Sequence, residues 1–521
     1  MRIRLLAATA LTLLLAGSGC GPKGFVVPDD PINRETIGAV PPTVDQAISK
    51  FNLQDYAGSS LAWQAVLAGP DAANFGAMAE YYLAECLFRM KLIQASQYFY
   101  QSVLLKGSEG PHFKPTLDRL LTIAHFSKDE SSIPKALQTT SFADLPSEIK
   151  DEVLYLMGKY YYRQGQIDRA KEHFRSIVSE SDWFADANYF LGVIAVKEKA
   201  YKDAILTFKK ITALDPGDYN NETGVEKVRN LAFLASGQVY YGLRYFPLAI
   251  HYFNKVDRRQ LEDWPEALFE MAWATFMKGR FNDTLGIIHA LHSPYFEDRF
   301  QPEAELLAAI TFLNLCKFEP AKKIIDTFKE TYAPMEERLN RFIAAQKGRP
   351  PELLYTILVE VKSGKDADRV PEEVVKSVFR NAAVKTLHHM ISEVEREIRI
   401  IKRLPDEWKR SPMGQAVFQK LMADRVEFMK SAGLLAQGEL ADAAMQLTEL
   451  RANAITIEFE TADAEKDWLE YKRRGGAGAG RKKKVTFSAA VPDDFEYWLF
   501  TGEYWWDELG YYKFNLFGDC P

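Results

Sequence analysis

A chain of 521 residues, 47% apolar and 26% charged, is long enough to bury several cores or one extended repeat array. Acidic residues outnumber basic ones 71 to 65, a formal charge of −6, which speaks against nucleic-acid binding because that needs a domain-wide basic excess. Four cysteines, at 20, 86, 316 and 520, are too few for a disulfide framework.

The chain starts with Arg2 and Arg4, runs apolar from Leu5 to Ala16 except at Thr9 and Thr12, and reaches Gly17-Ser18-Gly19 before Cys20. A basic start, an apolar stretch too short to span a bilayer and small residues before a cut make residues 1–19 a secretory signal. The cysteine placed there resembles a bacterial lipoprotein signal, and the resemblance implies that Cys20 is the lipidated first residue of the mature chain. Gly17 departs from that family, which usually has Leu at this place, so an ordinary cleaved signal is the alternative. Gly21, where Asp would retain a lipoprotein in the inner membrane, implies a lipid anchor on the periplasmic side of the outer membrane. Several acyl chains hold stably where one is marginal. Residues 20–43 then read as a flexible tether, with Pro22, Pro28, Pro31, Pro41 and Pro42 and little apolar periodicity. The most apolar later stretch, Ala304 to Cys316, is interrupted by Glu305, Thr311 and Asn314, so the chain is expected to be anchored and not to span.

From 44 to 335 the pattern is helical and repeats. Met157-Gly158, Tyr161, Ala170, Phe174 and Ile177 recur 34 residues on as Leu191-Gly192, Ala195, Ala204, Phe208 and Ile211, followed by Asp215-Pro216. Gly237, Tyr240, Ala249, Phe253 and Val256 form a third copy after an insertion, and Ala272 with Ile288 and Ala309 with Ile325 mark two more. Tyr82, Ala95 and Phe99 suggest another unit, and Tyr56, Ser59 and Trp63 a degenerate one. The pattern resembles the tetratricopeptide repeat. That resemblance implies an all-α, right-handed superhelical solenoid of about five to seven units, whose concave wall comes from the first helix of each pair. The exposed face of those helices gives a candidate partner-binding groove: Tyr155, Lys159, Tyr162, Arg163, Tyr189, Lys197, Gln238, Tyr241, Phe269 and Trp273. Aromatic and Arg side chains suit such a role, although inter-repeat packing is the competing use for several of them. The Lys/Asn clamp that some members of the family use for peptide C-termini is not matched.

Residues 352–474 stay helical without the repeat. An apolar stripe runs from Glu372 to Arg403, Leu404-Pro405 stops it, and Ser411-Pro412 opens a further helical stretch that Gly433 and Gly438 are expected to divide. These long helices are expected to cap the solenoid, or else to present a coiled-coil face. Residues 475–484 form a Gly-rich basic loop. It lacks the Lys-Ser/Thr order of a phosphate-binding loop, so it reads as a surface loop or a contact for anionic head groups. The tail, 485–521, is dense in aromatic and acidic residues. Trp498, Tyr504, Trp505, Trp506, Tyr511 and Tyr512 are its candidate contact residues, either folded back on the helices or docked into a partner. The segment Gly502–Tyr512 resembles one found in envelope repeat lipoproteins of myxobacterial adventurous gliding motility, which implies a scaffold in a trans-envelope assembly.

No catalytic pattern, cofactor loop or metal-ligand set is read, and no small-molecule substrate is expected. His289 and His292 could share a helix face but lack further ligands for zinc. Cys86 and Cys316 read as small buried residues, and Cys520 as an exposed thiol able to pair between chains. The expected function is a non-enzymatic scaffold binding envelope proteins through the solenoid or the tail, with outer-membrane biogenesis or cell-wall assembly as the alternative.

Overall fold

The computed structural model describes residues 31–474 and 500–520, apart from 35–36, 131, 138–144, 146, 261, 298 and 367. The expected signal segment, Cys20, residues 20–30 of the expected tether and the basic loop lie outside the described residues, whereas Ile32, expected in the flexible tether, is buried and bonded to the Asn52 side chain. Among the described residues the regular elements are all helical.

Helix pairs succeed one another: α1 (Pro42–Asn52) with α2 (Tyr56–Ala68), α3 (Ala72–Arg89) with α4 (Ile93–Leu104), α5 (Phe113–Ser127) with α6 (Ser132–Leu137), and α7 (Ser147–Arg163) with α8 (Ile167–Arg175). They continue as α9 (Phe184–Lys197) with α10 (Tyr201–Thr212), α11 (Glu222–Gly242) with α12 (Phe246–Phe253), α13 (Trp264–Met277) with α14 (Phe281–Leu291), and α15 (Pro302–Asn314) with α16 (Phe318–Gln346). A small residue in the first helix leaves room for a ring from the second. A Cβ on Gly158, Gly192 or Gly237 would stand 2.5, 2.4 or 2.4 Å from the rings of Phe174, Phe208 and Phe253. The same spacing of sixteen positions separates Ala47 from Trp63, Ala84 from Tyr100, Ala272 from Ile288 and Ala309 from Ile325, all buried. In most pairs one residue of the connecting turn is left-handed: Gln54, Lys91, Gly165, Lys199, Arg244, Gly279 and Cys316. The α5–α6 pair was not legible in the sequence, because Leu117 and Ile133 replace the small–large signature and α6 is short. The described residues form an all-α solenoid of the tetratricopeptide type.

After α16 the expectations need correcting. α16 does not stop near 335 but continues to Gln346 through Pro334. Next come α17 (Pro351–Lys362), α18 (Glu372–Arg380), α19 (Ala382–Arg403), α20 (Asp406–Arg410) and α21 (Pro412–Arg473). The stripe expected from 372 to 403 breaks at Asn381, whose side-chain oxygen accepts from the N–H groups of Ala383 and Val384, at 2.9 and 3.3 Å, and caps α19. Gly433 and Gly438 do not divide α21, which runs unbroken for 62 residues. Gly433 instead makes room for a neighbour, since a Cβ there would stand 1.9 Å from the Pro351 carbonyl oxygen.

Nor is α21 merely a cap. Met413, Val417 and Leu421 share a core with Val44, Ile48, Phe51 and Trp63 of the first pair. Further along, Met429, Ala432 and Leu440 pack with Leu339, Leu354 and Leu358, and Leu450, Ala454 and Ile457 pack with Leu306, Ile325 and Phe328 of the last pair. At 1.5 Å rise per residue such a helix is about 90 Å long, so it acts as a strut joining the two ends of the solenoid. The neighbouring helices reinforce the closure. The Glu397 carboxylate of α19 accepts from the N–H groups of Gln94 and Ala95, at 2.6 and 3.2 Å, capping α4 from 303 positions away. Trp408 of α20 is fully buried and donates from Nε1 to Ser60 Oγ of α2 at 3.0 Å. His389 Nε2 lies 2.9 Å from the Phe126 carbonyl at the end of α5.

Candidate interaction surfaces

The residues expected to wall a groove are largely spent on packing. Tyr155 is 3% exposed, stacks on Trp183 at 4.8 Å and directs its hydroxyl at Asp186, 3.4 Å away. Lys159 is 1% exposed and ion-paired with Glu130 at 2.7 Å. Tyr162 is buried against Phe190, with its hydroxyl bonded to the Lys197 ammonium, and Tyr189 is buried beside Phe208. Tyr241 is buried edge-on to Phe246. These side chains are therefore internal and do not form a displayed wall. Close stacking of successive pairs covers the face that a single helix wheel leaves open. Arg163 and Lys197 are exposed, while Gln238, Phe269 and Trp273 are half-buried.

The last three stand beside acids that the sequence did not single out. Asp263, Glu266 and Glu270 follow one another at helical spacing along one face of the α13 region, and Glu303 of α15 is close enough to influence Glu270. Burial, then Glu266, pushes the Glu270 carboxyl up to about 8, although it accepts a hydrogen bond from Gln238. Burial raises Glu266 as well, and raises Asp263 to about 6. The signal was present as acids three and four apart on a first helix, but 71 acids in the chain concealed it.

The tail lies on α14. Trp498 is outside the described residues, but from Phe500 onward the chain folds back along the outer face of that helix. His289 is covered by the tail: Phe500 meets it edge-on at 4.5 Å, Tyr512 at 4.9 Å, and the Tyr504 hydroxyl lies 3.4 Å from Nδ1. Trp506 packs edge-on against Trp264 at 5.4 Å and Tyr295 at 5.2 Å, and Leu509 is fully buried. Residues 512–520 then run extended and antiparallel to α14. The Phe514 N–H donates to the Asn282 carbonyl at 3.2 Å, while the Asn282 side chain exchanges two 3.0 Å bonds with the backbone of Leu516. Arg258 donates to the Asp507 carbonyl at 2.9 Å and to the Tyr511 hydroxyl. Trp505 and Tyr511 remain 58% and 48% exposed.

The tail is also fastened covalently. Cys316, in the α15–α16 turn, and Cys520 form a disulfide, with Cα atoms 5.2 Å apart. Neither expectation for these residues holds: Cys316 is not a buried free thiol, and Cys520 pairs within its own chain. The left-handed turn carries Cys316 to the edge where the extended tail arrives. Lys317 meets Asp519 at 2.6 Å, and Trp468 of α21 donates to the Asp519 carbonyl at 2.8 Å. Cys86 is buried as expected, and burial raises its thiol to about 12.

The paired helices with buried small–large contacts define the class, and the sequence agrees with them. The sequence model of the tetratricopeptide repeat matches residues 155–219, which span most of the α7–α8 pair and the α9–α10 pair. No curated protein matches the chain. The crystal structure of the APC/C hetero-tetramer Cut9-Hcn1 is similar over 83% of this chain and 95% of that one, at 11% identity with a TM-score of 0.20, too loose a likeness to carry weight.

Proposed function

We propose that this chain is a non-enzymatic protein-interaction scaffold, held by a lipid on Cys20 at the periplasmic face of the outer membrane, within a trans-envelope assembly such as a gliding-motility complex. The strip formed by Gln238, Phe269, Glu270 and Trp273 carries the scaffold reading. These residues lie half-exposed on first helices, where rigid aromatic area sits beside polar handles. Burial favours the neutral form of these carboxyl groups, and a cation brought beside them restores the charged form, so a partner segment bearing Lys or Arg fits the strip.

The leader of residues 1–19 and the position of Cys20 support the address. The Cys316–Cys520 bond supports export as well, because disulfides persist in oxidising compartments. The motility assignment rests on the leader, the repeats and the segment Gly502–Tyr512.

Affinity capture from envelope extracts tests the scaffold, comparing the natural chain with F269A/W273A and with E270K. Both variants should keep their helical circular dichroism and lose partners, and normal assembly in both would sink the proposal. Labelled palmitate should be incorporated by the natural chain and not by C20A. Deletion should stop surface gliding while leaving the envelope barrier intact, whereas barrier injury would favour the biogenesis role.

A further inference from the structure

Away from both surfaces, the junction of α16, α17 and the segment before α18 forms a cavity of about 480 Å³ that opens to the surface. Its lining is strongly one-sided in charge. Arg338 and Arg341 come from α16, Arg349 from the turn after it, and Arg369 from the segment before α18. The spacing of three puts Arg338 and Arg341 on adjacent turns of α16, Arg349 follows just past its C-terminal end, and Arg369 completes the basic lining. Phe342 and Ile357 supply apolar lining between them.

The counter-charges present do not neutralise this set. Arg341 has Glu337 at 3.9 Å, and Arg369 has Asp366 at 3.0 Å, both exposed pairs of the kind that solvent screens. Asp368 is the acid in the lining itself. Among the described residues no carboxylate pairs with Arg338 or Arg349. Two polar atoms of the lining, Arg338 Nε and Gln346 Oε1, are buried without a hydrogen-bond partner. A buried N–H with nothing to donate to is costly, and natural structures rarely leave one so.

We propose that this cavity binds a phosphate group, free or carried on a lipid head group. Four guanidinium groups offer many more donors than one carboxylate can accept, whereas a phosphate presents several oxygens to donors arriving from different sides. The planar fork of arginine suits such an oxyanion better than an ammonium would. A volume of this size holds a compact charged group with a small organic body over Phe342 and Ile357. Gln346 Oε1, an acceptor, then receives a hydroxyl on or beside the phosphate. The site stands apart from the inner strip, and its failure would leave the scaffold proposal untouched.

The test uses the full chain with C20A, so that no acyl anchor contributes. Inorganic pyrophosphate is titrated by calorimetry, and vesicles of phosphatidylcholine with and without phosphatidylglycerol are co-sedimented. R338Q/R349Q should weaken binding at least tenfold. R369Q, in an exposed segment where folding is not at stake, should weaken it severalfold, and R175Q, an exposed arginine on α8, should not change it. Pyrophosphate binding that responds this way identifies a free phosphate ligand. A response confined to phosphatidylglycerol vesicles identifies a lipid head group. Equal losses in R175Q, no loss in the cavity variants, or tighter binding of an oligoglutamate peptide than of either phosphate probe overturns the proposal.

Discussion

Gly286 lies directly beneath the Tyr512 carbonyl: a Cβ at position 286 would stand 1.8 Å from that oxygen. The tail can lie against α14 only because this helix position has no side chain. Gly286→Ala should favour the isolated helix by about 1 kcal/mol and yet unseat the tail. Under reducing conditions, limited proteolysis should cut residues 500–520 much faster in this variant than in the natural chain, with the helical circular dichroism unchanged. Continued protection would show that the tail is held elsewhere.

The disulfide closes a loop of 204 residues. A cross-link of that span restricts the unfolded chain, so Cys520→Ser should cost about 2–5 kcal/mol, seen as a lower denaturant midpoint in non-reducing buffer. Reductant should lower the midpoint of the natural chain and leave that of the variant unchanged. A thiol reagent should leave Cys86 untouched in the folded protein and find it on unfolding, since burial keeps that thiol protonated.

Gly192 and Phe208 test the repeat contact itself. Gly192→Ala would place a methyl 2.4 Å from the Phe208 ring, and overpacking of this kind costs about 1–3 kcal/mol. Adding Phe208→Leu to Gly192→Ala should recover part of the loss in chemical denaturation. Strict additivity of the two substitutions would mean that the ring and the glycine do not meet.

Stability should fall as pH rises from about 4.5 to about 8. Glu270 and Glu397 have folded-state pKa values of about 8, against ordinary values of 4.5. In that window the folded chain holds protons that the unfolded chain has lost, so the contribution is fully present below the ordinary value and gone above the raised one. Thermal unfolding across this range checks the sign, and E270Q should flatten the slope. Glu397→Gln should lower stability by about 1–3 kcal/mol below pH 4.5, because an amide nitrogen cannot accept from the N–H groups at the start of α4, and that cost should shrink as pH rises.

The helix pairs were legible in the chain because their determinants are local. Gly158 and Phe174, or Gly192 and Phe208, are sixteen positions apart, so a fixed spacing records the contact wherever it recurs. The acidic, aromatic character of the tail was equally plain, but not its destination. Tyr155, Lys159 and Tyr189 looked available on a helix wheel, yet the next pair buries them, and no single-helix pattern contains its neighbour.

Sequence alone determined that this protein is helical, repetitive and built from small–large helix contacts, since those follow from periodicity and side-chain volume over a few turns. Only the tertiary structure decided that α21 braces the first pair against the last, that Glu397 caps a helix 303 residues upstream, and that Cys520 closes on Cys316. Such contacts join segments whose separation leaves no periodic trace. They exist because three-dimensional packing brings together a glycine such as Gly433 and a backbone such as that of Pro351, and in the sequence alone Gly433 looked like a helix breaker.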